Sequence, residues 1–310
     1  MGSAGPHGGA LGDGLRRLRT SALDCRPVEF EKWQALGNDY VIVEATNLPF
    51  ELTEARIQAI CAPHTGVSAD GILLLSAPEH DGRVARLRIF NPDGSEAELS
   101  GNGAREAVLY LRRHGWTNSD SFAIETAAGD IRPRILSDTE CTVGMGRARL
   151  ESPGYPSGGP DGRGELTSGG RSWRFRHVQV GNPQCAIRVD GAAELEALDL
   201  NQFGPEIEHS ALFPNRTNVS WFAELEPARI RARIFERGVG ETTASGTGAT
   251  GAAVAYVLDG GPSPVTVMLD GGELTVDIAD ELEIELTGWA VPVYRGTLAE
   301  PFLKELHATQ

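Results

Sequence analysis

An internal repeat limits the folds that this chain can adopt. Residues 86–104 read RLRIFNPDGSEAELSGNGA, and residues 231–249 read RARIFERGVGETTASGTGA, which aligns without a gap and is identical at about half of the positions. A second, shorter match aligns residues 36–40, LGNDY, with residues 180–184, VGNPQ, at almost the same separation along the chain. The simplest interpretation is the duplication of a whole domain, with one site-forming element in each half.

Composition is typical of soluble globular proteins. The chain has 310 residues, of which 40% are hydrophobic and 23% are charged, and at this length the repeat favours two domains over one. The formal net charge of -15 argues against nucleic acid or an anionic membrane as a partner, since both would repel such a surface. No apolar run reaches the roughly 18 residues that span a bilayer.

The N-terminus and the cysteines give few functional signals. Residues 1–26 are rich in glycine and lack the apolar stretch of a secretory signal, so we interpret them as a flexible tail, with a tag remnant or an upstream start as alternatives. The cysteines form no C-x-x-C pair, and the histidines at 64, 80 and 114 have no metal-ligand spacing, which gives no support for a metal site. A reduced, cytoplasmic protein fits best. The cysteines are Cys25, Cys61, Cys141 and Cys185.

Short strands and one apolar helix per half predict the fold class. Residues 245–258 are rich in Ala, Gly and Val with almost no charge, and a helix that is apolar all round must be buried. Residues 103–114 predict the matching helix of the first half, residues 130–136 predict one strand, and the Gly, Pro and Ser of residues 153–170 predict a loop. We therefore expect an α+β fold in which a curled, mostly antiparallel sheet wraps around a central helix in each half.

Each copy of the repeat ends in Ser-Gly-x-Gly-Ala at the start of a helix. The first turn of a helix leaves backbone N–H groups without an intrahelical acceptor, and glycine lets a ligand approach them closely. With the positive end of the helix dipole these groups form an anion site, and two such helix starts could hold one carboxylate from both sides. A plain serine cap is the alternative, but two gapless copies favour the site. The residues concerned are Ser100, Gly101, Asn102, Ser245, Gly246 and Thr247.

A series of motifs resembles the diaminopimelate epimerase family, in order and over residues from about 28 to 305. The motifs are LGNDY at 36–40, GVSADG at 66–71, RIFNPDGSE at 88–96, GNGAR at 101–105, GNPQC at 181–185, FPNRTNV at 213–219 and ERGVGET at 236–242. The resemblance implies two pseudo-symmetric domains with a cleft between them. It implies a first domain over residues 27–147 that is joined by residues 288–305, and a second domain over residues 148–287.

The resemblance also implies an activity. Members of this family convert LL- to meso-diaminopimelate by removing and returning a proton at the α-carbon, a step of lysine biosynthesis that uses neither pyridoxal phosphate nor a metal. We therefore expect a cytoplasmic homodimer with no cofactor, a small amino acid as its substrate, and no nucleic-acid or membrane partner.

The chain departs from the family at the reacting end of the site. The two family cysteines, which stand at the helix starts on opposite faces of the substrate, are Ser100 and Ser245, the family histidine is Gln184, and the family glutamine is Gly71. A helix N-terminus can lower the pKa of a thiol from about 8.5 into a useful range, whereas a hydroxyl starts much higher. Glu236 is the stronger base nearby, so Ser100, Ser245 and Glu236 are the candidate catalytic residues.

The distal end of the substrate site is retained. Four residues match the family positions that hold the non-reacting amino-acid group: Asn91, Asn182, Asn218 and Arg237. The guanidinium of Arg237 would pair with a carboxylate through two hydrogen bonds. Asn38 and Glu236 match groups near the reacting amino group. Each asparagine, taken singly, could instead be a turn residue that bonds its own backbone.

Three activities remain open on these residues. The protein could be an epimerase in which the two serines exchange protons, directly, through a water, or with Glu236 as the base. It could catalyse a one-sided elimination or isomerisation of a modified amino acid, which needs a single base. It could also bind its ligand without turnover. The changes at Gln184 and Gly71 argue against a deliberate replacement of the two thiols, since such a replacement would leave both positions untouched.

Overall fold

The computed structural model describes residues 1–2 and 26–309. The flexible tail expected over residues 1–26, with Cys25, therefore lies outside the described residues except at its two ends. In the described part, no helix is long and apolar enough to cross a membrane. The same part holds no group of three or more His, Cys, Asp or Glu side chains that could bind a metal ion.

Strands dominate the described residues and alternate with short helices. The first strands are β1 Glu29–Ala35, β2 Asn38–Glu44, β3 Ile72–Ser76, β4 Ala85–Phe90, β5 Glu96–Ala97, β6 Ile124–Thr126 and β7 Gly129–Ile131. The next are β8 Arg134–Ile135, β9 Glu140–Arg147, β10 Arg163–Ser168, β11 Arg171–Val180, β12 Asn182–Arg188, β13 Asn218–Glu226, β14 Arg229–Glu236, β15 Gly240–Thr242, β16 Val265–Leu269, β17 Gly272–Ile278, β18 Glu283–Trp289 and β19 Val291–Thr297. The α-helices are α1 Glu54–Cys61, α2 Gly101–Arg113, α3 Ala192–Ala197, α4 Leu200–Glu208, α5 Gly246–Leu258 and α6 Glu300–Ala308, and 3-10 helices span Ala45–Asn47 and Asp280–Leu282.

The first sheet curls around α2. Its strand order is β19-β1-β2-β3-β4-β6-β7, with β5 beside β4. The pairs β2–β3 and β4–β6 are parallel, and the other neighbours are antiparallel. The helix buries Ala104, Ala107 and Leu111 in one cluster with Trp33 and Leu73 of the sheet. The helices α1 and α6 belong to a second apolar cluster on the other face of the sheet.

The second sheet curls around α5. Its strand order is β10-β11-β12-β13-β14-β16-β17-β18-β9-β8, with β15 beside β14. Every residue of α5 from Gly248 to Tyr256 is buried, as its apolar surface requires. The helices α3 and α4 pack on the other face, where Leu195 and Ile207 join Trp221. Because α2 and α5 lie in the same buried cluster, the core is continuous between the two halves.

The structure differs from the sequence prediction at two places. Residues 130–136 do not form one strand, because β7 pairs with β6 in the first sheet and β8 pairs with β9 in the second. Pro133 lies between them, and proline interrupts a strand because it has no N–H to donate. The loop predicted over residues 153–170 contains β10, which forms a hairpin with β11.

Sheet membership changes earlier than the domain boundary expected at residue 147. Strands β8 and β9 belong to the second sheet, where β9 lies beside β18. After β18 the chain returns to the first sheet, because β19 pairs with β1 from Thr297 opposite Glu29 to Val291 opposite Gln34. Two chain passages therefore connect the sheets.

Candidate active site

The two copies of the repeat form the same local structure. Strand β5 pairs with β4 and β15 pairs with β14, and each hairpin leads directly to the serine that caps the next helix. The Ser100 Oγ accepts a hydrogen bond from the Gly103 N–H at 3.1 Å, and the Ser245 Oγ accepts one from the Gly248 N–H at 3.2 Å. Both serines are N-caps. A hydroxyl has a second lone pair and a proton, so capping leaves each serine able to bond a ligand.

The two helix starts meet at a pair of glycines. A Cβ atom built on Gly101 would lie 3.6 Å from the Gly246 Cα, and one on Gly246 would lie 3.4 Å from the Gly101 Cα. Each would also lie 3.2 Å from Cδ2 of Leu286. The absence of side chains lets the N-termini of α2 and α5 lie side by side, so the free N–H groups of Gly101, Asn102, Gly246 and Thr247 and the two helix dipoles act on the same region.

A carboxylate lies beside Ser245. Glu236 accepts a hydrogen bond from the Thr242 hydroxyl at 2.9 Å, and the Ser245 hydroxyl lies near enough to lower the pKa of its carboxyl. Burial raises the pKa of the Glu236 carboxyl, while the Thr242 and Ser245 hydroxyls lower it in part and the charge of Asp70 raises it further. A carboxylate with a raised pKa is a better proton acceptor than an ordinary one, so Ser245 and Glu236 together can accept a proton.

A phenol lies beside Ser100. The Tyr40 hydroxyl donates a hydrogen bond to the Ser100 Oγ at 3.3 Å. Burial raises the pKa of Tyr40, the hydrogen bond with Ser100 lowers it in part, and the carboxyl groups of Glu106, Asp70 and Glu236 raise it again. Tyr40 therefore stays protonated near neutral pH. The two serines have different neighbours, because a hydroxyl donates to Ser100 whereas a carboxylate, which can accept, lies near Ser245.

A chain of hydrogen bonds fixes Asn102 and Asn38 between a buried cation and a carboxylate. The Arg105 guanidinium donates to the Asn102 Oδ1 at 2.7 Å and to the Gly101 carbonyl oxygen at 3.0 Å. The Asn102 Nδ2 donates to the Asn38 Oδ1 at 3.1 Å, and the Asn38 Nδ2 donates to Asp70 at 2.8 Å. Burial lowers the pKa of Arg105 to about 10, so it keeps its charge at neutral pH. The network therefore joins the start of α2 to the β1–β2 turn.

The predicted residues for the distal group form a second cluster around the β11–β12 turn. The Asn218 Oδ1 accepts from the Arg237 backbone N–H at 2.9 Å, and its Nδ2 donates to the Pro183 carbonyl oxygen at 3.2 Å. The Asn182 Oδ1 accepts a hydrogen bond from Gln184. Asn218 thus ties the Arg237 backbone to the turn that carries Asn182, and the three predicted residues come together.

Asn91 has a different setting. Its side-chain amide donates to the Ser95 Oγ at 2.9 Å, and its backbone N–H donates to the Ser95 carbonyl oxygen at 2.8 Å. These bonds close the β4–β5 turn, which is the structural role considered for each asparagine above. Its place among the ligand-binding residues stays a prediction.

Four residues that shape the site were missed in the sequence: Tyr40, Asp70, Glu208 and Thr242. Tyr40, Asp70 and Thr242 stand inside three of the motifs, so motif membership was an available signal for them. Glu208 ends α4, and its buried carboxylate accepts from the Gly238 N–H at 2.9 Å, which holds the loop after Glu236. Nothing local in the sequence marks that contact, because it joins two distant segments.

Solved structures identify the class of fold. A probable proline racemase from Agrobacterium radiobacter K84 is similar with a TM-score of 0.64, which covers 88% of this chain and 93% of that chain at 13% identity. A Bacillus anthracis phenazine biosynthesis protein of the PhzF family is similar with a TM-score of 0.63, which covers 88% of this chain and 99% of that chain at 18% identity. The two-domain α+β fold predicted from the sequence is confirmed.

The sequence comparisons identify the family. The diaminopimelate epimerase family model matches residues 30–151 and 176–293. A diaminopimelate epimerase from Synechococcus sp. (strain JA-3-3Ab) is 40% identical over 282 residues, which are 88% of this chain and 99% of that relative. The chain belongs to the diaminopimelate epimerase family, and it is an enzyme of the isomerase class. The resemblance seen in the motifs is confirmed.

Proposed function

We propose that the enzyme converts LL- to meso-diaminopimelate, without pyridoxal phosphate, by removing and returning the proton of one α-carbon. The observation that carries this proposal is the contact between the starts of α2 and α5 at Gly101 and Gly246. Ser100 and Ser245 are the N-cap residues that directly precede these glycines. The name of the Synechococcus relative supports the substrate. A step of lysine biosynthesis in the cytoplasm and a homodimeric state remain part of this proposal.

The reacting carboxylate of the substrate fits the two helix starts. The N–H groups of Gly101, Asn102, Gly246 and Thr247 lie in the first turns of the helices and have no intrahelical acceptor, and both helix dipoles favour a negative charge there. Removal of the α-proton pushes further negative charge onto the same carboxylate. The site would therefore bind the transition state more tightly than the ground state, which is the requirement for catalysis.

The distal end of diaminopimelate carries its own carboxylate and amino group. Arg237 supplies a guanidinium that can pair with this carboxylate, and Asn218 fixes the backbone from which Arg237 extends. Asn182 and Asn91 would hydrogen-bond the distal amino-acid group. Asn38 and Glu236 would bond the reacting amino group.

The proton acceptor in this proposal is the pair of Ser245 and Glu236. As the Ser245 oxygen takes the α-proton, its own hydroxyl proton passes to the Glu236 carboxylate, so no free alkoxide forms. The raised pKa of Glu236, which burial causes, brings this carboxylate closer to the proton affinity that the step needs. A carboxylate thereby supplies the basicity that a lone hydroxyl lacks.

Hydrogen exchange tests the proposed function. We expect that incubation with LL-diaminopimelate in deuterated water removes one α-hydrogen signal from the NMR spectrum and yields the meso isomer. L-lysine is a matched control because it lacks only the distal carboxylate, and we expect at least 100-fold slower exchange with it, in line with the loss of a bidentate charged pair worth about 3 kcal/mol.

The outcomes distinguish the three activities that the sequence left open. A thermal shift with LL-diaminopimelate but no exchange would mean binding without turnover. A new alkene from a β-substituted amino acid, again without exchange of diaminopimelate, would establish one-sided elimination. If the proposal holds, Ser245→Ala abolishes exchange, and the double replacement Ser100→Cys and Ser245→Cys increases it, because a thiol at a helix N-terminus is the stronger acid and base.

A further inference from the structure

Tyr40 reaches the site through a space that a glycine leaves open. It lies in β2, is 5% exposed, and packs its ring on Gly71. A Cβ atom on Gly71 would lie 2.7 Å from Cε1 of Tyr40 and 2.2 Å from the Phe90 carbonyl oxygen, so residue 71 can carry no side chain while Tyr40 holds this position. The tyrosine hydroxyl is thereby directed to Ser100 rather than to the core.

The Ser100 oxygen receives two hydrogen bonds. The Gly103 N–H donates at 3.1 Å and the Tyr40 hydroxyl donates at 3.3 Å. A hydroxyl oxygen has two lone pairs, so both are occupied and the proton of Ser100 is left to bond elsewhere. The charges that raise the pKa of Tyr40 are the carboxyls of Glu106 and Asp70 from its own half and that of Glu236 from the other half. These negative charges favour the protonated phenol, which is the form that donates.

The second half has no counterpart to this arrangement. In the repeat, the position of Tyr40 is occupied by Gln184, whose side chain donates to Asn182. Ser245 receives one N–H bond, from Gly248, and the carboxylate near it is Glu236, which can only accept when ionised. The two serines therefore differ in their surroundings: a side-chain hydrogen-bond donor is next to Ser100, and a side-chain acceptor is near Ser245.

We propose that Tyr40 is a positioning residue for the reaction: it donates to Ser100 and so makes the Ser100 face the one that supplies the proton, while the Ser245 and Glu236 face removes it. This inference rests on the proposed function. It says which of the two similar helix starts supplies the proton and which one removes it.

The proton transfers balance. On one face the α-proton passes to the Ser245 oxygen, the Ser245 hydroxyl proton passes to Glu236, and the C–H electron pair stays on the substrate. On the other face the Ser100 hydroxyl proton passes to the α-carbon, and the Tyr40 proton passes to the Ser100 oxygen. Protonation of Glu236 removes one of the charges that oppose loss of the Tyr40 proton. After release, Glu236 gives a proton to water and Tyr40 regains one.

Replacing each serine in turn by cysteine tests this difference, because the pKa of the thiol reports whether a donor or an acceptor lies next to it. The measurement does not require turnover. The pKa of the thiol introduced by Ser100→Cys is measured from the pH dependence of its alkylation by iodoacetamide, with the modified peptide quantified by mass spectrometry. Adding Tyr40→Phe keeps the ring on Gly71 and removes only the hydroxyl. Because a hydrogen bond to a charged group is lost, we expect the thiol pKa to rise by about one pH unit.

The control is the same measurement on Ser245→Cys, with and without Tyr40→Phe, where we expect a change of less than about 0.3 pH unit because Tyr40 bonds the other serine. We also expect the thiol at position 245 to have the higher pKa of the two, since Glu236 opposes its ionisation. Equal effects of Tyr40→Phe at both positions, or none at position 100, would overturn the assignment even if the wild-type protein exchanges α-hydrogen normally.

Turnover provides the second arm. We expect Tyr40→Phe to slow α-hydrogen exchange at least tenfold in the wild-type background but less than threefold beside Ser100→Cys, because a thiol loses its proton without the phenol. Tyr110→Phe is the matched control, since that hydroxyl bonds Glu44 instead of Ser100. An equal loss in both backgrounds would mean a purely structural role. Absence of exchange in the wild-type protein would refute the proposed function, and the thiol measurement would still decide the role of Tyr40.

Discussion

A buried carboxyl group in α2 should make the stability of this protein depend on pH. Glu106 is fully buried in α2. Burial raises its pKa well above the ordinary value of 4.5, the adjacent Arg105 guanidinium lowers it in part, and the charges of Asp39 and Asp70 raise it again. The folded protein therefore holds a proton that the unfolded chain releases.

The sign of the effect follows from this difference. A carboxyl whose folded pKa is raised contributes nothing adverse below pH 4.5, where it is protonated in both states. Above that value each pH unit lowers the free energy of unfolding by about 1.4 kcal/mol, until the folded pKa is reached. Glu106→Gln keeps the shape of the side chain and removes the titration. Relative to the wild-type protein, the variant should gain about 1.4 kcal/mol for each pH unit above 4.5, up to the pKa of Glu106 in the folded protein.

Urea unfolding at half-unit intervals between pH 4.5 and 8 measures this gain. The control is Glu51→Gln, which removes an exposed carboxylate and should change the free energy of unfolding by less than about 0.5 kcal/mol at every pH. A Glu106→Gln difference that does not vary with pH would refute the reasoning, since it would mean that Glu106 titrates alike in the folded and unfolded chains. A loss of stability that grows with pH would refute it as well.

Three further substitutions test the geometry of the site. Gly246→Ala puts a methyl group 3.2 Å from Leu286 and 3.4 Å from the Gly101 Cα, so we expect the helix starts to separate and α-hydrogen exchange to fall at least tenfold, while overpacking costs about 1 to 3 kcal/mol in urea unfolding. Arg237→Lys keeps the charge but loses the bidentate geometry, and we expect KM for diaminopimelate to rise about tenfold with kcat less affected in steady-state assays. Glu208→Gln weakens the charged bond to the loop after Glu236, and we expect a loss of about 1.5 kcal/mol in urea unfolding with a higher KM.

Local signals in the sequence were sufficient for much of the fold. The apolar composition of residues 245–258 predicted a buried central helix, and α5 is one. The repeated Ser-Gly-x-Gly-Ala predicted two helix starts, and Ser100 and Ser245 cap α2 and α5 in the same way. Each of these features depends on residues within one or two helical turns, so a single segment contains the information.

The features that the sequence did not predict depend on contacts between distant segments. Tyr40 and Ser100 are 60 positions apart, and whether the tyrosine points at the serine depends on the register of β2 against its neighbours. Glu106 is charged and adjacent to Arg105, which on a helix is typical of a solvent-exposed face, yet both side chains are enclosed. The sequence prediction ran one strand through Pro133, although proline is a signal for a break, and it could not show which sheet each flanking strand joins, because pairing is set by the whole fold.

Duplication of the domain explains the shape of the site, whereas divergence between the copies explains its chemistry. Asn91 and Glu236 occupy equivalent positions of the repeat, but one closes a turn and the other places a carboxylate beside a serine. Tyr40 and Gln184 are likewise equivalent, but only Tyr40 donates to a serine. In the proposed reaction, each half therefore lacks the group that the other half supplies, one the proton acceptor and the other the donor. The proposed reaction needs both groups, so it could occur only where the two halves touch, and the close approach of α2 and α5 would then be a requirement of that chemistry and not merely a consequence of packing.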